Sequence, residues 1–379
     1  MLTTDRTLDA TMASLHRGSD GPMGTQEQQL RFALTPDGVR IAYALTGRGY
    51  PLVRAAHWLG HLDFDWHTPI WRPWIDALSA QHALLRYDAR GCGLSDPYPA
   101  SITLDALVSD LEAAVDAAGL EHFALMGMSQ GGAVSAVYAA RHPERVSHLV
   151  LCGAFARGRL RRTITPEQVQ AHEAMLKLVE LGWGQQNPAF LQLFTSQFFP
   201  GASLVQMNAF NEIQRHAARP ESAARIMRAF SQIDASAYLA QIRCPTLVLH
   251  SRGDTRVPFD EGRFVAASIP GARFLPLDTD NHVPLAGEPA FDRLMAEVAD
   301  FLPTRDARAG SDARLAGLTA RELDVLELIA RGLDNAQVAA HLALAEKTVR
   351  NNITRIFSKI EVENRGQAIV LARNAGLGQ

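Results

Sequence analysis

The stretch Gly127–Gly132 reads GMSQGG and separates an apolar run from a helix-forming run. The run before it, His122–Met126, is mostly apolar, as a buried strand would be, and the run after it, Ala133–Arg141, favours a helix and is soon followed by Pro143. A serine between glycines on a tight turn from strand to helix is a nucleophile elbow. Glycines are needed there because the backbone is strained and passes close to neighbouring chain. The stretch therefore predicts that Ser129 is a nucleophile.

Strand-like and helix-like segments alternate around this turn. Eight segments have the pattern of strands, namely Leu30–Leu34, Val39–Ala44, Pro51–Ala56, His82–Tyr87, His122–Met126, Val146–Cys152, Thr246–His250 and Arg273–Leu277. Helical patterns follow at Asp105–Ala118, directly behind Ser129, and at Phe291–Leu302. Strands that alternate with helices predict an α/β fold with a doubly wound, mostly parallel sheet. No strand is predicted over about residues 157–241, so we expect this segment to form a helical cap over the carboxyl edge of the sheet.

A serine hydroxyl becomes an effective nucleophile when a base accepts its proton and an acid holds that base. In proteins with this elbow the chain order is serine, then aspartate or glutamate, then histidine. Asp254 follows the seventh predicted strand and His282 follows the eighth, so both lie at carboxyl ends of strands, where such sheets place their sites. The sequence therefore predicts a catalytic triad of Ser129, Asp254 and His282. Asp278 and Asp280 are alternative acids, although their position just before His282 favours a role in shaping its loop.

Together these features make residues 29–302 resemble the α/β-hydrolase superfamily, and the loop Asp88–Asp96 (DARGCGLSD) resembles that of its capped members. The resemblance implies an oxyanion hole made by two backbone N–H groups. One belongs to Gln130, the residue after the nucleophile. The other belongs to the loop His57–Gly60, where Trp58 replaces the glycine of many relatives. The serine excludes the relatives that use an aspartate nucleophile, such as dehalogenases and epoxide hydrolases, and favours a small ester, lactone or related molecule as ligand or substrate.

The C-terminal segment, residues 316–379, has the pattern of a small all-α domain. Thr319 and Glu322 form a capping box that opens a helix ending at Gly332. A short helix and a longer helix over residues 346–359 follow. Between residues 345 and 359 there are four basic side chains and one acidic side chain, and the apolar residues lie on the opposite face. A helix-turn-helix with an apolar back and a basic front is suited to the major groove of DNA.

This segment closely resembles the LuxR-type helix-turn-helix domains. The matching residues are Leu318, Thr319, Arg321, Glu322, Val325, Leu326, Ile329, Ala330, Gly332, Asn335 and Lys347–Asn351. Two positions depart from the family: Ala345 replaces a serine that caps the recognition helix, and Asn352 replaces a histidine that often contacts phosphate. The resemblance implies binding to double-stranded DNA and a homodimer formed through the last helix, about residues 365–374. The DNA-binding candidates are Lys347, Thr348, Arg350, Asn351, Thr354, Arg355 and Lys359.

Composition limits the remaining choices. A length of 379 residues suggests two domains, one of them large, and residues 303–315 have the small, charged composition of a linker. Residues 1–28 are polar, lack the apolar core of a signal peptide and are expected to be a flexible leader. No run reaches the roughly 18 apolar residues of a membrane span, so we expect a cytoplasmic protein with no membrane partner. Three distant cysteines argue against disulfides and zinc sites, and no metal or cofactor is predicted.

Two functions fit this combination. In the first, the chain is a transcription regulator whose α/β-hydrolase domain senses a small molecule. In the second, the chain is an active serine esterase or lactonase whose C-terminal module only dimerises or localises it. The triad favours chemistry, but a DNA-binding module has no evident use in a metabolic enzyme, so the sequence favours the regulator. It leaves open whether the ligand is hydrolysed, what the ligand is, and which DNA sequence is bound.

Overall fold

The computed structural model describes residues 28–183, 188–303, 314–315, 317–342, 344–375 and 377–378. The predicted leader, residues 1–28, and the predicted linker, residues 303–315, fall almost wholly outside this part of the chain. The larger hydrophobic core ends at Leu302 and a second core begins at Leu315, so each part of the sequence buries apolar residues of its own. None of the described helices is long and apolar enough to cross a membrane.

A mostly parallel sheet forms the centre of the larger part. Its eight strands are β1 (Gln29–Leu34), β2 (Arg40–Thr46), β3 (Tyr50–Arg54), β4 (His82–Tyr87), β5 (Phe123–Met128), β6 (Val146–Cys152), β7 (Thr246–Ser251) and β8 (Arg273–Leu277). Their order is β1-β2-β4-β3-β5-β6-β7-β8. β2 runs antiparallel to β1 and β4, and the other pairs are parallel. The predicted α/β fold and its strands are confirmed.

Helices cover the sheet. Those of this part are α1 (Leu62–His67), α2 (Arg72–Ser79), α3 (Leu104–Ala117), α4 (Gly131–Arg141), α5 (Pro166–Gly182), α6 (Pro188–Phe198), α7 (Leu204–Ala217), α8 (Pro220–Gln232), α9 (Ser236–Leu239), α10 (Phe259–Ser268) and α11 (Pro289–Phe301). The sequence pattern does not predict α1 and α2, which are six and eight residues long. Helical periodicity is recognised over windows of about 11–18 residues, and these two helices are shorter than that.

The segment without predicted strands is helical, with α5 to α9 lying between β6 and β7. Two of these helices begin with capping boxes, at Thr165 and Ser203, which satisfy the free N–H groups of their first turns. The segment also contacts the loop after β8, because the carbonyl of Phe198 accepts the N–H of His282 at 2.7 Å. These helices therefore form one wall of the space above the carboxyl ends of the strands.

The C-terminal part contains four described helices: α12 (Ala320–Ala330), α13 (Asn335–Leu342), α14 (Glu346–Lys359) and α15 (Arg365–Asn374). The predicted capping box is present, since the N–H of Thr319 donates to the Glu322 carboxylate at 2.8 Å and the N–H of Glu322 donates to the Thr319 hydroxyl at 3.3 Å. Val349, Ile353 and Ile356 of α14 are buried in the second core. The opposite face of α14 is therefore left for contact with a partner.

Candidate functional site

Ser129 lies on the turn between β5 and α4 in a strained conformation. Its φ angle is +52°, in the left-handed region that side chains with a Cβ atom rarely adopt. Close packing requires glycine beside the serine, because a Cβ atom on Gly131 would lie 2.7 Å from the carbonyl oxygen of Ala56. The Ser129 N–H is held by the carbonyl oxygen of Cys152 at 3.1 Å. The local sequence thus fixes the serine where the sheet meets the helix.

Asp254 and His282 are brought together from the loops after β7 and β8. Nδ1 of His282 donates to Oδ2 of Asp254 at 2.7 Å. Oδ1 of Asp254 accepts the N–H groups of Arg256 at 2.8 Å and Val257 at 2.9 Å, so both carboxylate oxygens are engaged. This arrangement places the ring proton on Nδ1 and leaves the lone pair on Nε2, as a general base requires.

Neither alternative acid is recorded in contact with His282. Asp278 pairs instead with Arg252, whose Nε lies 2.9 Å from Oδ1 of Asp278, and both side chains are exposed. Asp280 packs against Gly253, where a Cβ atom would lie 1.8 Å from its Oδ1. The geometry therefore favours Asp254 as the acid, while Asp278 and Asp280 belong to the surrounding loops.

Ser129 and His282 both line one cavity, which we call the apolar cavity. It contains about 310 Å³ of empty space, part of it open to solvent, and its walls include Trp71, Met128, Phe198, Phe199, Phe210 and Val283. Nε2 of His282 is buried and has no hydrogen-bond partner among the described residues. A buried polar atom of this kind is costly unless a further group binds it. Nε2 is therefore available to exchange a proton with Ser129 or with a bound molecule.

The two backbone groups expected to form the oxyanion hole lie beside Ser129. Gln130 and Trp58 line a cavity together with Ser129, and neither N–H donates to another described residue. The Trp58 ring packs edge-on against Trp183 and Phe230, with centroids 6.2 and 6.3 Å away. The helical segment thus accommodates the bulk that replaces glycine in this loop.

A buried charged network supports the loop of Trp58, and sequence reasoning missed it. His57 stacks on Trp71 at 4.2 Å, and its Nδ1 donates to the Trp58 carbonyl at 3.1 Å. Asp65 of α1 lies 3.3 Å from Nη2 of Arg54 and 3.7 Å from Nε2 of His57. Burial raises the pKa of Asp65 and lowers the pKa of His57 well below its usual value. In the sequence, the only sign of this network was Asp65, which lies in the short helix α1 that the sequence pattern did not predict.

The loop Asp88–Asp96 has a structural role. Asp88 accepts the N–H groups of Leu62 at 3.1 Å and Leu94 at 2.9 Å, and burial raises its pKa to about 7. A Cβ atom on Gly93 would lie 2.1 Å from Oδ2 of Asp88, which explains the glycine. The loop therefore ties α1 to the carboxyl end of β4 and does not line either cavity at Ser129.

A second cavity is also lined by Ser129, and we call it the basic cavity. It encloses about 510 Å³ of empty space, part of it open to solvent. Its lining residues are Trp58, Ser129, Gln130, Phe155, Arg159, Arg162, His172, Phe198, Met227, Phe230, Ser231, Arg256 and Val257. The three arginines and His172 were not predicted, because they lie far apart in sequence and form no local motif. In the part of the chain that the structure describes, no group of three or more His, Cys, Asp or Glu residues could hold a metal ion.

The recognition helix α14 presents the seven predicted DNA-binding side chains to solvent. One of them is already engaged, because Nζ of Lys359 lies 2.7 Å from the carboxylate of Glu322 in α12. Arg350 lies 3.8 Å from Glu346, a longer and exposed pair. Ala345 occupies the N-cap and supplies no side-chain hydrogen bond, so the departure from the family leaves the helix start uncapped.

Comparison with known proteins identifies both parts. The alpha/beta hydrolase fold matches residues 58–289, more than half of the chain. The chain belongs to the α/β-hydrolase family. The bacterial regulatory proteins of the luxR family match residues 316–372, so the C-terminal part is a LuxR-type DNA-binding domain. The two matches contain all the predicted triad and DNA-binding residues.

Individual proteins are similar to a large part of the chain. Over 258 residues the chain is 30% identical to an Azorhizobium caulinodans protein that carries the name carbamate hydrolase RutD, covering 64% of this chain and 88% of that protein. It is 28% identical over 246 residues to pyrrolizixenacetamide deacetylase of Xenorhabdus hominickii, covering 63% and 87%. A hydrolase of Pseudomonas aeruginosa PA01 has a similar structure, with a TM-score of 0.60, 28% identity and coverage of 73% and 99%.

Proposed function

We propose that the chain is a DNA-binding transcription regulator whose α/β-hydrolase domain binds a small ester, lactone or related acyl compound and hydrolyses it. The observation that carries the proposal is the combination, in one chain, of a LuxR-type domain with a basic recognition helix and a Ser129 elbow beside the His282–Asp254 pair. A metabolic hydrolase has no evident use for a LuxR-type domain. A DNA-binding protein has no evident use for a serine elbow with its histidine and aspartate unless it responds to an acyl compound.

In the hydrolytic step, Oγ of Ser129 forms a bond to the carbonyl carbon of the ligand while Nε2 of His282 accepts the hydroxyl proton. The N–H groups of Gln130 and Trp58 stabilise the negative oxygen of the tetrahedral intermediate. The bond to the leaving group then breaks, and the leaving group takes the proton from Nε2. Water repeats the sequence on the acyl-enzyme, releases the acid and restores the serine. Asp254 keeps the ring of His282 in the required tautomer throughout.

The names of two relatives support an acyl bond to oxygen or nitrogen as the bond that is cleaved. One is named for carbamate hydrolysis and the other for deacetylation. Both reactions transfer an acyl or carbamoyl group to water. The proposal therefore includes amides and carbamates among the related compounds.

Regulation follows if ligand occupancy changes DNA affinity. We propose a homodimer through α15, on which the apolar side chain of Val370 is 60% exposed. Two recognition helices in such a dimer would contact half-sites roughly one helical turn, about 34 Å, apart. A ligand shifts the DNA-binding equilibrium only if it binds the two states of the protein with different affinity.

The test compares the full-length protein with its Ser129→Ala variant. Each is titrated onto duplex DNA from upstream of its own gene neighbourhood, with and without a panel of short esters, lactones, amides and carbamates. We expect specific binding by both proteins and a change in affinity with one class of compound, and a difference between the two proteins would measure the contribution of turnover. If neither binds duplex specifically while the wild type cleaves esters rapidly, the chain is an enzyme and the regulator proposal is wrong.

A further inference from the structure

Two guanidinium groups in the basic cavity have no acidic partner among the described residues. Arg159 forms no side-chain hydrogen bond or ion pair with another described residue, and the guanidinium of Arg256 lies over the ring of Phe198, 5.0 Å from its centroid. Arg162 differs, because it lies 3.8 Å from Glu261, a carboxylate that also pairs with Arg157 at 2.8 Å. No aspartate or glutamate lines the cavity. The cavity wall therefore has an excess of positive charge, although Glu261 and Asp254 lie close enough to offset part of it.

The electrostatics of this wall are unfavourable without a ligand. Burial, together with the nearby charges of Arg159 and Arg162, lowers the pKa of Arg256 to about 10, although the charge of Asp254 opposes this shift. Burial and the charges of Arg159 and Arg256 lower the pKa of His172 to about 4, so that His172 is neutral near pH 7. His172 is only 3% exposed, and its Nε2 has no partner among the described residues. Partly buried cations that lack a counter-ion are costly, and a bound anion would offset that cost.

We infer that the ligand of the α/β-hydrolase domain has an anionic oxygen group, a carboxylate or a phosphate, that is bound by Arg159 and Arg256. Guanidinium groups are suited to such groups because they donate paired hydrogen bonds in a plane. His172 contributes a neutral ring nitrogen to the same wall. The inference rests on the proposed function and specifies the class of compound that it takes.

The position of His282 indicates which part of the ligand is charged. The leaving group must receive its proton from Nε2 of His282, and that histidine lines the apolar cavity and not the basic cavity. Ser129 and Trp58 line both cavities, whereas Gln130 lines only the basic cavity, so we place the acyl part on the basic side of Ser129, beside the Gln130 N–H. The anionic group therefore belongs to the acyl part, and the leaving group is uncharged. Hydrolysis of such a ligand gives a product with two acidic groups.

A matched pair of substrates tests this assignment. The mono-p-nitrophenyl ester of glutaric acid and p-nitrophenyl pentanoate have the same leaving group and the same acyl chain length, and only the first is anionic. We expect wild type to have the higher kcat/KM for the glutarate ester. The ratio of the two kcat/KM values should fall about 10- to 100-fold in Arg159→Gln and in Arg256→Gln, the range expected for a hydrogen bond to a charged group.

Arg161→Gln is the matched control. Arg161 lies two residues from Arg159, is exposed, and its Nε donates to the carbonyl of Gln232 at 3.1 Å, outside the cavity lining. Its ratio should equal that of wild type. The melting temperature of Arg159→Gln should not fall, because the substitution removes part of the excess positive charge. A fall in melting temperature with an unchanged ratio would assign Arg159 a structural role and overturn the inference.

The outcomes separate the inference from the proposed function. If the pentanoate ester is cleaved and the glutarate ester is not preferred, the anion site is wrong while hydrolysis stands. If neither ester is cleaved, hydrolysis of simple acyl esters is refuted, and the anion site is tested by thermal shift with glutarate, inorganic phosphate and neutral pentanamide. A shift with either anion that is absent in Arg159→Gln supports the site and distinguishes carboxylate from phosphate. Equal shifts in both proteins, or none, overturn it.

Discussion

Replacing Asp254 by asparagine provides a direct test of the triad. Oδ1 of Asp254 accepts two backbone N–H groups, from Arg256 at 2.8 Å and Val257 at 2.9 Å. The amide oxygen of an asparagine has to occupy this position, because an NH2 group cannot accept these bonds. The NH2 group then faces Nδ1 of His282, which lies 2.7 Å from Oδ2 in the native chain. Nδ1 must become an acceptor, the ring proton moves to Nε2, and the histidine loses its function as a base.

The magnitude follows from this change of tautomer. An equivalent substitution in a Ser-His-Asp triad lowers kcat by about 10⁴ while the geometry persists. We expect the rate of covalent labelling of Ser129 by a fluorophosphonate to fall by about 10³–10⁴, or roughly 4–5.5 kcal/mol of activation free energy. This assay needs no knowledge of the natural ligand, and intact mass reports the labelled fraction over time.

Asp278→Asn is the matched control, because it makes the same chemical change in an exposed carboxylate that pairs with Arg252. Its labelling rate should stay within about twofold of wild type, as expected for an exposed ion pair. Labelling of Asp254→Asn within tenfold of wild type would refute the assignment of Asp254. An equal loss in Asp278→Asn would show that the rate responds to the loop and not to the hydrogen bond. Circular dichroism of each variant confirms that it is folded.

Three further expectations concern pH, DNA and helix capping. Burial lowers the pKa of His172 from its ordinary 6.5 to about 4. Between these two pH values the folded state binds fewer protons than the unfolded state, so the free energy of unfolding decreases as the pH falls from 6.5 to 4. Between pH 7.5 and pH 5, the free energy of unfolding measured in urea should decrease by about 2 kcal/mol more in wild type than in His172→Gln. Arg355→Ala should reduce the salt dependence of duplex binding by about one ion, measured by titration at several salt concentrations. Lys359→Ala should change that slope less and should instead destabilise the domain by about 1 kcal/mol or less, because Lys359 pairs with Glu322. Ala345→Ser should raise the stability of the LuxR-type domain by about 1 kcal/mol in thermal unfolding, since the backbone of Ala345 is already extended as an N-cap requires.

Local patterns predicted the elements that are encoded locally. Each strand was recognisable from a short apolar run between turn residues, and the recognition helix Glu346–Lys359 was predicted with the bounds that the structure has. The elbow at Ser129 was predictable for the same reason, because strand, turn, glycines and helix are contiguous. Asp254 and His282 were identified through chain order, which is a constraint of the fold and not of local sequence.

Residues that meet only through the fold escaped prediction. Arg159, His172 and Arg256 come from a short 3-10 helix, an α-helix and a loop that lie far apart in sequence and line one cavity only in the folded chain. None of the three stands in a motif, and a single arginine in sequence is most often a solvated surface charge. Lys359 was predicted as a DNA contact, and this stays a prediction. Its ion pair with Glu322 of α12 could not be predicted, because the two residues meet only through the tertiary fold.

The anion site suggests how occupancy could reach the rest of the hydrolase domain. Arg159 and His172 belong to the segment that begins after β6, whereas Arg256 lies in the loop of the acid after β7. If the inferred anion contacts both, its binding would stabilise the packing of the helical segment against the sheet that the structure shows. At ten times the dissociation constant, glutarate should slow amide hydrogen exchange in Pro166–Gly182 about tenfold. The slowing should be absent in Arg159→Gln and present in Arg161→Gln. Equal slowing in the two variants would mean that the anion acts elsewhere, and the link between ligand and cap would be lost.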